Sequence, residues 1–231
     1  MKKIIILTII FSFIFTFAVS GNTTQNSFHK EGNYYKNPIG QTIPGVRKRG
    51  IDISAYQKEI NWEEVAKDDV SFVFIRCANT NQGIDNTFEY NATNALKNGI
   101  KIGIYLRTTA VTKKQVLQEA EYIIKEAQKY HVTYPLVIDV EGYPVDQLDN
   151  NSLKTIVTTF CEKIKKAGYE PMIYASKYWL EHKGLGSLPY RVWVAQYNNQ
   201  CTYKGKRSFW QCSCKGRIKG IKGDVDIDFQ Y

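Results

Sequence analysis

Tyr134-Pro135-Leu136-Val137-Ile138-Asp139-Val140-Glu141-Gly142-Tyr143 is the stretch around which the rest of the chain is read. A β-branched apolar run bounded by proline and glycine predicts a buried strand, and this one runs out into two carboxylates separated by a single valine. Alternate residues of a strand face the same way, so Asp139 and Glu141 share a face, about 7 Å apart along the backbone. In a parallel α/β barrel the carboxyl ends of the strands are where the connecting loops build the active site. Two acids held there cost desolvation and mutual repulsion, which makes them a candidate catalytic pair. A strand that merely ends in two solvated acids satisfies the same short motif, so the other strands have to decide.

Working outward, strand and helix signals alternate. Residues 50–54, 71–78, 100–106, 134–141 and 171–175 read as strands. Helices are predicted over 62–67, 86–97, 113–130 and 152–166. Asn61 offers the first an N-cap, Asn98-Gly99 stops the second, and Ala167-Gly168 closes the last. Residues 191–197, 209–213 and 225–229 are further strands with little helix between them. Repeated βα units followed by β alone predict an α/β barrel whose second half has lost its helices.

The chain begins Met1-Lys2-Lys3, continues with an almost wholly apolar run over residues 4–19, and offers small residues at Ala18 and Ser20. This predicts a signal peptide over residues 1–20, cleaved after Ser20, and hence a secreted protein. A membrane anchor is the alternative; the apolar run is short for a spanning helix and no stop-transfer charges follow, so no stable anchor is expected. Residues 21–49 are rich in Asn, Thr, Gln, Gly and Lys without an apolar period and predict a flexible lead-in. Residues 50–231 form one domain, long enough to bury its own core.

The formal charge is +9. Lys204, Lys206, Arg207, Lys215, Arg217, Lys219 and Lys222 fall in an acid-free run over residues 204–222. In an exported protein that run suits an anionic cell-wall polymer better than nucleic acid, an ordinary solvated face being the alternative. Cys77, Cys161, Cys201, Cys212 and Cys214 all follow the leader. Export permits disulfides, and a bridge from Cys201 to Cys212 or Cys214 is expected. Cys212-Ser213-Cys214 is too tight for a zinc ribbon and the chain has three histidines, so neither a metal or other cofactor nor a Cys–His nucleophile is expected.

Acids and aromatics recur at the predicted strand ends. In order, the pieces are Gly50-Ile51-Asp52-Ile53-Ser54 with Gln57 and Trp62, Gly103-Ile104-Tyr105, Asp139-Val140-Glu141, Ile173-Tyr174, Trp193-Val194-Ala195-Gln196-Tyr197, Trp210-Gln211 and Val225-Asp226. Together they resemble the Chalaropsis-type lysozymes, glycoside hydrolase family 25, over essentially all of residues 50–231. The resemblance implies an irregular TIM-like (β/α)5(β)3 barrel that hydrolyses the β-1,4 bond after N-acetylmuramic acid in peptidoglycan glycan strands. A monomer is expected. The resemblance also implies Glu141 as general acid, Asp139 as its assisting neighbour, and Asp52 and Asp226 as supporting carboxylates. Tyr105, Tyr174, Trp193, Gln196, Tyr197 and Trp210 would then face the substrate or wall the site. The chain departs from the family at Tyr105-Leu106-Arg107 (usually Tyr-His-Phe), at Arg76-Cys77-Ala78-Asn79-Thr80 (usually Lys-Ala-Thr-Glu-Gly) and at Asp226-Ile227-Asp228 (commonly Asp-x-Asn). These changes bear on the subsites and leave each core carboxylate in place.

Breaking a glycosidic bond requires a proton on the leaving oxygen and stabilisation of a positively charged sugar. Glu141 supplies that proton if burial and the neighbouring Asp139 raise its pKa. Asp139 leaves the same side of the same strand, so it does not straddle the sugar as the second carboxylate of a covalent retaining enzyme does. The opposite-face role is expected to fall to the substrate's own acetamido group, with Asp139 orienting its nitrogen. Two alternatives stay open. A non-catalytic glycan-binding barrel would keep the aromatics but has no need of four acids. A chitinase-like endoglycosidase would also use Asp-x-Glu, yet Leu136 stands where its additional acid belongs.

Overall fold

The computed structural model describes residues 27–79 and 83–231, and the expected leader over residues 1–20 lies outside them. A two-stranded hairpin, β1 (His29–Glu31) and β2 (Tyr34–Lys36), precedes β3 (Lys48–Ile53), α1 (Trp62–Val65), β4 (Phe72–Asn79) and the short β5 (Gly83–Ile84). Then come α2 (Phe88–Lys97), β6 (Lys101–Arg107), α3 (Lys113–Ala127), β7 (Leu136–Asp139), α4 (Asn150–Lys166), β8 (Pro171–Ser176) and α5 (Lys177–His182). β9 (Arg191–Ala195), β10 (Phe209–Gly216) and β11 (Val225–Gln230) finish the chain. Asn61 caps α1 by accepting from the Glu64 N–H, and Gly99 and Gly168 close α2 and α4 at φ of 77° and 86°.

The strands pair in the order β3-β11-β10-β9-β8-β7-β6-β4, and a β3–β4 pairing closes the ring. Neighbours are parallel except that β11 runs antiparallel to both β10 and β3. Five strand–helix units followed by three strands make this the (β/α)5(β)3 barrel. Sequence reading misses α5, a six-residue helix capped by Ser176, because so short an element carries too little apolar period to register.

Period-2 alternation sorts the strand side chains into two cores. Phe72, Phe74, Tyr105, Val137, Met172, Tyr174, Trp193 and Phe209 turn inward and fill the barrel. Their neighbours, such as Val73, Ile104, Ile138, Ile173 and Val194, pack outward in the larger cluster with the helices. Inside, Phe74 stacks on Trp193 with centroids 4.5 Å apart and meets Phe209 edge-on at 5.1 Å. Gly50 and Gly103 face these rings. A Cβ on Gly103 would lie 2.4 Å from Phe74 and 3.0 Å from the Pro135 carbonyl, so the glycine is the space the ring occupies.

Two expectations need correction. Much of the segment read as a flexible lead-in is built into the fold: Tyr35 and Ile43 are buried, the Tyr35 hydroxyl accepts from Arg49 N–H at 3.1 Å, and Phe28 packs edge-on against Trp210. A few apolar side chains without period suffice because the barrel wall supplies the partner surface. β3 also starts at Lys48, so residue 50 is not a boundary. The expected disulfide is likewise not formed: all five cysteines are free, and Cys212 is buried in the outer core with its thiol on the Ile227 carbonyl.

Gly103→Ala is expected to destabilise the domain by about 1–3 kcal/mol through overpacking. Urea midpoints measure this, and the loss should shrink in a Phe74→Leu background. A loss indifferent to residue 74 would place the strain elsewhere.

Candidate active site

A cleft of about 220 Å³ opens at the carboxyl ends of the parallel strands. Asp52 reaches it from β3, Arg76 from β4, Tyr105 and Arg107 from β6, and Asp139 from β7 with Glu141 just beyond. Tyr174, Trp193, Tyr197, Gln211 and Asp226 complete the wall. Asp226 is the second residue of its strand, yet it lies level with Asp52 near the end of β3, because β11 is antiparallel and the two pair directly in register.

Burial falls unevenly on the four predicted carboxylates. Asp139 and Asp52 are each 5% exposed. Burial, then the charge of Glu141, pushes the Asp139 carboxyl well above the ordinary carboxylate range, with Arg107 and Arg76 opposing. Asp52 is raised as well, by burial and then by Asp226 and Asp228. Asp226 is raised to about 6 by burial and the charge of Glu141. The burial expected at Glu141 is not found: its side chain is 48% exposed and Arg107 Nε lies 3.3 Å from its Oε1. The strand ends at Asp139, and Gly142 at φ 66° turns the chain there, carrying Glu141 out to the rim.

A hydrogen-bonded chain orders the floor. Tyr174 and Tyr197 hydroxyls donate to Gln211 Oε1 at 2.8 and 3.0 Å, and Gln211 Nε2 donates to Asp52 Oδ2 at 2.7 Å. Trp193 Nε1 donates to Asp228 Oδ1 at 2.7 Å. Arg76 is held by Asp85 at 3.1 Å.

Of the predicted substrate-facing residues, Tyr105, Tyr174, Trp193 and Tyr197 line the cleft; Gln196 and Trp210 do not. Trp210 is fully buried in the outer core, with its Nε1 on the Gln196 carbonyl, and the Gln196 amide is engaged with Thr202. Alternation accounts for this: Phe209 and Gln211 point inward, so Trp210 must point outward. The same rule applied to β10 would have singled out Gln211, which sequence reading left without a role. Arg76, Arg107 and Asp228 were likewise seen only as departures from the family pattern.

The sequence model of Glycosyl hydrolases family 25 matches residues 51–221. The chain belongs to this family. It is 28% identical to Lysozyme M1 of Streptomyces globisporus, covering 77% of this chain and 66% of that one. The bacterial lysozyme of Streptomyces coelicolor superposes with a TM-score of 0.66 at 27% identity, over 78% of this chain and 90% of that one. The modular autolysin LytC of Streptococcus pneumoniae, in complex with a synthetic peptidoglycan ligand, superposes with a TM-score of 0.74 at 25% identity, over 89% of this chain and 52% of that one. This family 25 chain thus spans about half the length of LytC. It is a glycoside hydrolase.

The raised carboxyls carry a stability signature. A group with a raised folded pKa binds more protons folded than unfolded, so the stability it contributes is present below the ordinary carboxylate range and is lost as pH rises through the folded value. For Asp226 that window runs from about pH 4 to about 6. Asp226→Asn is expected to flatten the decline of melting temperature across this window, as calorimetry between pH 4 and 7 would show; an unchanged slope would contradict the shift.

Proposed function

We propose that the domain hydrolyses the β-1,4 bond after N-acetylmuramic acid in peptidoglycan, with Glu141 donating the proton to the leaving oxygen. The observation that carries this reading is the placement of Asp139 and Glu141 on one cleft wall and Asp226 on the opposite one. Around the closed ring β7 and β11 are separated by three strands on either side. Family membership supports the reaction class, and the names of the Streptomyces relatives and the peptidoglycan ligand held by LytC support the substrate.

Glu141 stands at the solvent edge, where a leaving alcohol departs, and Arg107 fixes its carboxyl. Asp139 lies deeper on the same side and does not reach the far sugar face. Its Oδ1 is buried without a hydrogen-bond donor, an acceptor suited to the N–H of an acetamido group. In this mechanism the acetamido oxygen attacks the anomeric carbon as the glycosidic bond breaks, and water then opens the ring so formed, with retention of configuration.

Glu141→Gln should keep the fold and lower turnover 10²-fold or more, because an amide cannot supply the proton. Release of reducing ends from purified peptidoglycan measures this, and mass analysis of the fragments identifies the bond cut. Near-normal turnover would remove Glu141 from its role. De-N-acetylated muramic acid should not be cleaved; efficient cleavage with inversion would favour water activated by Asp226 across the cleft. Parallel assays on chitin oligomers separate the lysozyme from a chitinase-like activity.

Export and attachment to an anionic wall belong to the same reading, supported by the basic, apolar start of the chain and by the run over residues 204–222. Lys204, Lys206, Lys215, Lys219 and Lys222 are exposed, whereas Arg217 is paired with Asp224. Binding to whole walls should weaken as salt rises, and replacing Lys215, Lys219 and Lys222 by Gln should flatten that dependence. Binding indifferent to both makes the run an ordinary solvated surface.

A further inference from the structure

Asp228 takes no part in the hydrolysis as derived above, yet it is the acid most completely removed from water at the cleft floor, with 0% exposure. It lies on β11 two residues from Asp226, so both turn into the barrel. The register that sets Asp226 opposite Asp52 makes Asp228 the diagonal neighbour of Asp52 on that face. One Asp228 oxygen accepts from Trp193; the other, Oδ2, is buried and has no nitrogen or hydroxyl donor. Asp52 accepts from Gln211 on Oδ2, and its carboxyl is within hydrogen-bonding reach of Asp228.

Two ionised carboxylates can only accept, so this contact is repulsive unless one of them carries a proton. A single shared proton turns it into a charge-assisted O–H···O bond and gives Asp228 its missing donor. Burial works in the same direction, since two charges side by side out of water cost far more than one.

We propose that Asp228 is a positioning residue that accepts a hydrogen bond from a protonated Asp52, so that Asp52 faces the sugar as a neutral acid while Asp228 anchors the Trp193 indole beneath it. The role assigned to the pair rests on the hydrolase reading above. Asp228, Asp52, Gln211 and the two tyrosine hydroxyls then form one polar chain, with the indole clamped between Asp228 and the Phe74 ring. The titratable groups facing the pair are Asp226 on β11, Tyr105 on β6, Tyr174 on β8 and Tyr197 beyond β9, and the Cys212 thiol on β10 lies behind it, in the outer core. Arg76 on β4 is tied to Asp85. Asp226 adds a negative charge that opposes a second ionisation. The burial of both acids and their mutual contact raise Asp52 in the same sense.

Asp228→Asn separates position from proton. The amide oxygen still accepts from Trp193, and its N–H now donates to Asp52, which no longer needs a proton; asparagine is isosteric with aspartate, so the packing around residue 228 is kept. In wild-type protein, infrared difference titration should show one buried protonated carboxyl beyond those of Asp139 and Asp226; Asp52→Asn and Asp228→Asn should each remove that band, while Asp139→Asn should leave it. With peptidoglycan, Asp228→Asn should move a limb of the pH–kcat profile to lower pH by about 1 unit or more, with a smaller effect on KM. A wild-type protein without that additional carboxyl, or a pair band and pH profile that survive Asp228→Asn, would overturn the proposal. The infrared measurement needs no substrate, so its failure counts against Asp228 alone, whereas a wild type that leaves peptidoglycan uncut counts against the hydrolase reading.

Discussion

Because β11 runs antiparallel between β10 and β3, its first residues reach the same rim as the last residues of the parallel strands. The acid-bearing segment Val225-Asp226-Ile227-Asp228 is thereby inserted beside Asp52 and across the ring from Asp139 and Glu141. Had the final strand been parallel like its neighbours, Asp226 would sit at the other end of the barrel. The ring closure that hides the sheet edges is thus also what assembles the carboxylates.

Holding several acids together in a space this small calls for a rigid floor. The aromatic layer provides it, with Phe74 under Trp193, Tyr174 against the same indole at 4.6 Å, and Gly50 and Gly103 leaving room for the rings of Phe72 and Phe74. Polar atoms at the top of this layer are tied to one another: indole to Asp228, and tyrosine hydroxyls through Gln211 to Asp52. A network satisfied this way resists reorganisation, which is what a site that stabilises a developing charge requires.

The acids are also placed in unequal surroundings. Asp139, Asp52 and Asp228 are buried and raised, Asp226 is intermediate, and Glu141 lies at the rim beside a guanidinium. Environments that push neighbouring carboxyls apart in acidity are the usual means of dividing acid, base and orienting roles among identical groups. Here the division follows depth: β7 delivers Asp139 into the barrel, and the chain turns outward before Glu141.

The order of strands and helices was legible in the sequence because buried strands are continuous apolar runs and the helices carry an amphipathic period with caps such as Asn61 and Gly99. So were the acids at the cleft, since Asp52, Asp139, Glu141 and Asp226 stand at or near the strand ends that the pattern itself marks. Other features depended on what each residue meets in space. Trp210 looked like a sugar platform until the inward turn of Phe209 and Gln211 sent it outward, and the segment read as a lead-in found its partners only on the finished barrel. The half-exposure of Glu141, its pairing with Arg107, and the contact of Asp228 with Asp52 depend on register and strand direction. Those are relations between segments far apart in the chain, and local propensity and period, which act over a few residues, carry no record of them.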